Sequence, residues 1–268
     1  MTLNNKEKVM RFYRSFICFL ILFPVVTPNV YASNWAALPR VAAGVGIYEL
    51  SVPSINLGEG QTIPADNFKA SFYVYGIGIT AVIDNYFIDT FVQRSSKDSD
   101  FKAVPELGYI EEFKASREDF SLSVGSNIWK TLRVFVGFKD GITDSKGNLD
   151  SISTFSESGY YMGGSYSWQL SQNGLLSLNA ALADLDGELV FKAPNLGGVN
   201  LEVISSAIGA SLGVAWSTVL FKSLGMRISI DANYYKFKDN IDITSGRNND
   251  GDVVEKLVFG RLNLTYKF

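Results

Sequence analysis

The chain has no histidine anywhere in its 268 residues. Histidine is the side chain that exchanges protons near neutral pH, so its absence removes the commonest general base. Cysteine occurs once, as Cys18. That leaves neither a disulfide nor a Cys-metal cluster for the rest of the chain. Proline is sparse, at 7 residues, and charged residues make up only 19%. Acidic residues outnumber basic ones by 27 to 24, and nothing points to a nucleic-acid partner, which would need a basic patch. Long apolar runs are few. "FICFLILFPVV" (16–26) is too short to cross a bilayer as a permanent helix.

What is present points to strands and to export. Aromatics reach 13%, with 24 glycines. Lys6, Lys8, Arg11 and Arg14 precede the apolar run, and "VYA" (30–32) forms a small-x-small cleavage site. Residues 1–32 therefore read as a cleaved signal peptide, with Met10 as an alternative start and an uncleaved anchor as the competing reading. Residues 33–268 form the mature domain. Cleavage takes away four basic residues and one acidic residue, moving the net charge from −3 to −6.

Period-two alternation recurs along the mature chain. It gives ten expected strands, at roughly 40–50, 69–83, 86–95, 118–126, 131–139, 158–170, 175–186, 205–221, 226–237 and 256–268. "DN" (84–85), "NIWK" (127–130), "SQNG" (171–174) and "KSLG" (222–225) are tight hairpin turns. Between them fall polar connections at 51–68, 96–117, 140–157, 187–204 and 238–255, expected as long loops. Short and long connections alternate strictly, as they do in a barrel that crosses an outer membrane. The stretch "VISSAIGASLGVAWSTVLF" (203–221) is uncharged and carries Gly209 and Gly213 in GxxxG spacing, the pattern of a transmembrane helix. A strand is preferred, because it puts Gly209, Ser211 and Gly213 on one side and Ile208, Leu212 and Val214 on the other.

The small face suits a tightly curled lumen, and the bulky apolar face suits lipid. The expectation is thus that large apolar side chains point outward and small or ionised ones inward. Trp129, Trp168 and Trp216 fall at or near the short turns, with Tyr86, Tyr266 and Phe268 at the same level. Tyr73, Phe138, Tyr160 and Tyr234 fall near the opposite rim. Two aromatic girdles around an aliphatic band match the membrane–water interfaces.

The chain closes on "LNLTYKF", with Leu264, Tyr266 and Phe268 alternating back from a terminal aromatic. This resembles the C-terminal signature of bacterial outer-membrane β-barrel proteins. "GFKDGITD" (137–144) and "YYMGGSYSW" (160–168) resemble segments of small barrels of that class. The resemblance implies an all-β, transmembrane, antiparallel up-and-down barrel of about ten strands, with eight or twelve as alternatives. It implies a Gram-negative outer membrane, contact with lipid and lipopolysaccharide, a monomer, and a closing strand read by the barrel-assembly machinery. Barrel enzymes of that class (omptin-type proteases, phospholipase A, lipid A palmitoyl-transferases and deacylases) use a histidine that this chain lacks.

Asp89, Arg133, Arg227, Asp231 and Arg261 all take lumen parity, and counting back across 238–255 sets Asp231 nearly opposite Arg261. These charges either pair and fill the lumen or line a narrow passage that sets ion preference. "NNDGDVVE" (248–255) and "DSKGNLD" (144–150) lack the spacing of a Ca²⁺ loop, so no metal or cofactor is expected. The reading is a non-enzymatic barrel with a structural or surface-contact role through its long outer loops. Its alternatives are a narrow porin-like channel and, further off, a carboxylate-based hydrolase.

Overall fold

A computed structural model describes residues 35–53, 55–58, 61–63, 66–96, 99–103, 111–147, 150–172, 174–193, 199–239, 248–249 and 251–267. The expected signal peptide (1–32), Cys18 and Phe268 lie outside the described residues, as do parts of both Asp- and Gly-rich stretches. The strands are β1 (Trp35–Val52), β2 (Ile55–Gly58), β3 (Gln61–Ile63), β4 (Asp66–Ile83), β5 (Tyr86–Ser95), β6 (Ser99–Ala103) and β7 (Glu111–Asn127). They continue as β8 (Leu132–Gly147), β9 (Ile152–Gln169), β10 (Gly174–Ala193), β11 (Val199–Phe221), β12 (Leu224–Asp239), β13 (Asn248–Asn249) and β14 (Val253–Tyr266). Residues 203–221 are strand, as their alternation requires, and among the described residues no helix is long and apolar enough to cross a membrane.

The main sheet runs β5-β4-β1-β14-β12-β11-β10-β9-β8-β7-β6, and the β5–β7 pairing closes it. Because β5 and β6 both pair with β7, they share one place, and the ring is a closed antiparallel barrel of ten strands. At the level of β5 this closure leaves no open edge, which is what hydrocarbon demands of a sheet. The short connections sit where turn chemistry placed them, at 84–85, 128–131, 170–173 and 222–223. Asp84 takes φ 53°, a left-handed conformation that Asp tolerates better than most residues.

The opposite end departs from expectation. The connections expected at 140–157 and 187–204 are mostly strand. β8 and β9 stay paired from Asp140↔Ser158 to Lys146↔Ile152, and β10 and β11 from Gly187↔Ser205 to Ala193↔Val199. A tilted strand rising ~3.3 Å per residue needs about ten residues to cross an apolar belt ~25 Å tall. β10 has 20 residues and β11 has 23, twice that requirement. The barrel wall therefore continues well past the bilayer.

Along each strand the parity holds while its chemistry inverts. On β12, Ile228, Ile230 and Tyr234 face outward and are succeeded by Lys236 and Lys238; inward, Arg227, Ser229 and Asp231 are succeeded by Tyr235 and Phe237. On β10 the outward series runs Leu178, Leu182, Asp184, Asp186. Its inward series runs Ser177, Asn179, Leu185, Leu189. The switch lies nine to ten residues above the short-turn end of each strand, at the level of Tyr73, Tyr160 and Tyr234. The expectation of apolar-out, polar-in is thus correct only below that level. Above it, Tyr48, Phe72, Phe155, Leu185, Phe237 and Leu257 pack inside the barrel as a buried core. The solvent is the cause: lipid surrounds the lower wall and water the upper, so apolar side chains turn outward in one and inward in the other.

Two of the inward glycines make room for this filling. Gly209 is paired with Tyr235 and Gly213 with Asp231, and a Cβ at either site would collide with its partner's side chain. Within the upper core, the Phe155 and Phe237 rings meet edge to face at 5.2 Å. Phe237→Ala is expected to cost about 3–5 kcal/mol, the usual penalty for emptying a buried aromatic site. Reversible urea unfolding of the refolded barrel measures it.

Candidate functional site

The lumen holds two stacked groups of charge, separated by level. The upper group centres on Arg117 of β7, which is 2% exposed. Its Nη2 donates to Glu157 Oε1 on β9 and its Nη1 to Glu255 Oε1 on β14, both at 2.8 Å. Nη1 also reaches Thr143 Oγ1 on β8, and Nε reaches Asp119 Oδ1, again at 2.8 Å. Lys139 Nζ adds a bond to Glu157 Oε1 at 2.6 Å and lies 4.1 Å from the centre of the Tyr235 ring. The Tyr48 ring lies 5.4 Å from the guanidinium carbon of Arg117. One arginine thus ties together strands from opposite sides of the ring, wrapped in the aromatic core. Arg117, Glu157 and Glu255 are closed off within it, while Asp119 and Lys139 border a cavity below.

The lower group lies nearer the short turns, around a cavity of about 460 Å³. Asp89, Arg133, Arg227, Asp231 and Arg261, the five charges given lumen parity by the sequence, all line it, together with Arg40. Arg40 grips Asp89 with both nitrogens, at 2.5 and 2.9 Å. Arg261 Nη2 donates to Asp231 Oδ2 at 2.9 Å, a diagonal pair because Asp231 stands directly opposite Phe259. Arg133 donates to Asn127 Oδ1 at 3.1 Å and lies over the Phe87 ring at 4.6 Å. Serines 165, 167, 177 and 229 and Asn179 complete a wall rich in hydroxyls and amides. A second cavity of about 310 Å³ shares Asn179, Asp231 and Arg261 and reaches Lys139 and Tyr235 beneath the upper group.

Trp168 and Trp216 point outward near the short-turn end, and Tyr166 meets Trp168 at 4.8 Å. Trp129 lies in the 128–131 turn, 67% exposed, and lines the mouth of the lower cavity. Leu264 and Tyr266 face outward on the closing strand. The sequence reading missed Arg40 and the whole upper group. Arg117, Glu157 and Glu255 each sit one residue beyond an expected strand end, at 118, 158 and 256. Extending the inward parity by one step would have found all three.

Magnitudes separate the ion pairs. Arg117→Ala leaves Glu255 without its cation and Glu157 with Lys139 alone in a dry site, and is expected to cost about 3–5 kcal/mol. Lys256→Ala breaks only the exposed pair with Glu49 and is expected to cost less than about 1 kcal/mol. Unfolding midpoints of both variants, compared in one denaturant series, check the contrast.

No protein-family model matches the chain, and no curated protein matches it. Among solved structures, the outer membrane protease OmpT of Escherichia coli superposes with a TM-score of 0.61 at 11% identity, covering 90% of this chain and 99% of that one. The Neisserial surface protein NspA gives a TM-score of 0.33 at 13% identity, over 89% of this chain and 100% of that one. The translocator domain of the autotransporter NalP from Neisseria meningitidis gives 0.44 at 10%, over 97% of both. The OmpT likeness shows a shared fold and no more.

Proposed function

We propose that this chain, a bacterial outer-membrane β-barrel, is non-enzymatic and non-conducting, and works through the wall and connections it raises above the membrane. The observation that carries this reading is the filled upper lumen. Arg117, Glu157, Glu255, Phe155 and Phe237 are each no more than 2% exposed and stand across any path through the barrel. Barrels with open aqueous channels use about 16–18 strands, whereas about eight leave room for side chains or one small ligand. Ten strands plus this packing favour a closed body over the porin-like alternative.

The same burial argues against catalysis. The Arg117 group has the carboxylates a hydrolase would need, but a substrate would have to displace the core to reach Glu157 and Glu255. Surface contact is supported instead by order at the raised end. β2 and β3 fall in the connection from β1 to β4, β13 falls in that from β12 to β14, and together they pair as a separate sheet, β13-β2-β3. Connections held on a rigid scaffold are where binding is usually placed. In this reading residues 1–32 are removed on export, the interfacial aromatics contact lipid and lipopolysaccharide, and Leu264, Tyr266 and Phe268 address the assembly machinery.

Planar-bilayer recording of the refolded barrel tests the closed body. No discrete conductance steps are expected from the wild type. Regular steps of uniform size, altered by Arg261→Ala, would replace the closed barrel with the channel.

A further inference from the structure

We propose that the lower cavity is a binding site for a small polar organic anion, carrying a phosphate or carboxylate group, that enters from the periplasmic side. Three observations combine. The first is charge. The cavity wall carries five cations, Arg40, Lys130, Arg133, Arg227 and Arg261, against two carboxylates, Asp89 and Asp231. The protein as a whole is acidic, with a net charge of −3, so this wall runs against the general sign. A recess lined by one sign of charge, within low-dielectric walls, concentrates ions of the other sign.

The second is pairing. Both carboxylates are already engaged, Asp89 by Arg40 and Thr80, and Asp231 by Arg261 and Ser229. Arg133 is left with the amide oxygen of Asn127 and the face of Phe87. Arg227 makes no hydrogen bond or ion pair among the described residues. It lines the same recess as Arg40, Arg133 and Arg261. An arginine without an ion pair of its own among the described residues is the element that an oxyanion completes. The planar guanidinium matches carboxylate and phosphate oxygens two at a time.

The third is shape and access. A volume of about 460 Å³ is in the range of small-molecule sites. The lining includes the Trp129–Lys130–Thr131 turn and the strand-end residues Leu38 and Thr265, so the cavity reaches the end where the short turns and both chain ends of the barrel lie. In outer-membrane barrels that end faces the periplasm. The Arg117 group and the aromatic core close the other end. The site is therefore a blind recess, and its hydroxyl- and amide-rich wall suits a polar ligand body. Binding here needs no conduction: the blind end rests on the closed-body reading, whereas the charge and pairing of the wall do not.

The test is calorimetric titration of the full chain, folded in detergent micelles, with inorganic phosphate and, separately, with citrate. Saturable one-site binding of at least one anion is expected. Phosphate alone would point to a phosphate-bearing ligand, citrate alone to a carboxylate, and both to the shared oxyanion chemistry. Arg227→Gln is expected to weaken binding about tenfold, and Arg133→Gln/Arg227→Gln to abolish it. Lys236→Gln, on the outer wall, should leave it unchanged. A second measurement needs no variant: phenylglyoxal should modify Arg227 and Arg133 of the wild type more slowly when the bound anion is present. Failure of both anions to saturate, or binding that survives the double replacement, or modification rates indifferent to the anion, would overturn the proposal.

Discussion

Hydrocarbon offers no partner to a backbone N–H or C=O, and that constraint shapes this protein first. Closing ten strands into a ring, through the β5–β7 pairing, satisfies the wall within itself. Once the ring is closed, every residue has one of two directions, and the period of two cannot be broken without a bulge. What varies is the solvent outside. For about half its length each long strand meets lipid, and for the rest it meets water. The interior must then be polar at one level and apolar at the next.

The two storeys of the lumen follow from that. The lower one is surrounded by lipid-facing Ile, Leu and Val, so its inward positions are free to carry charge, small residues and a cavity. The upper one must supply the hydrophobic core of a barrel standing in water, and it does so with rings and aliphatic side chains from around the wall. Arg117 is the exception within the greasy storey. It is tolerated because each of its nitrogens finds an oxygen, and because the carboxylates it meets come from separate strands. A buried arginine with this geometry adds little net stability over an apolar filling, but removing it is costly, and it fixes which strands stand opposite one another.

Much of this was legible in the residues, and the limit has a physical origin. Turn chemistry is local, so "DN" (84–85) and "KSLG" (222–225) located their hairpins. Strand parity is local too, so Asp89, Arg133, Arg227, Asp231 and Arg261 could be assigned to the lumen, and Asp231 set near Arg261. The upper storey was hidden because its pattern has the same period and the opposite sense. Asp184 and Asp186 interrupt the outward apolar series on β10, and the expected strand stops at 186. The strand in fact continues to Ala193, with Leu189 turned inward as Leu185 is. Cutting the strands at that point also left Arg117, Glu157 and Glu255 just outside. The β13-β2-β3 sheet, made of strands of two to four residues, leaves no periodic trace at all.

The central claim is that a single strand keeps its parity while its surroundings change from lipid to water. In a Cys18→Ser background, single cysteines at Leu182, Asp186 and Leu185 on β10 can each carry a fluorescent label or be tested for thiol reactivity. The account predicts that a label at 182 is quenched from the lipid phase, a label at 186 is quenched only from water, and the thiol at 185 reacts with neither kind of reagent. A label at 186 quenched from lipid, or a thiol at 185 that reacts freely, would contradict it.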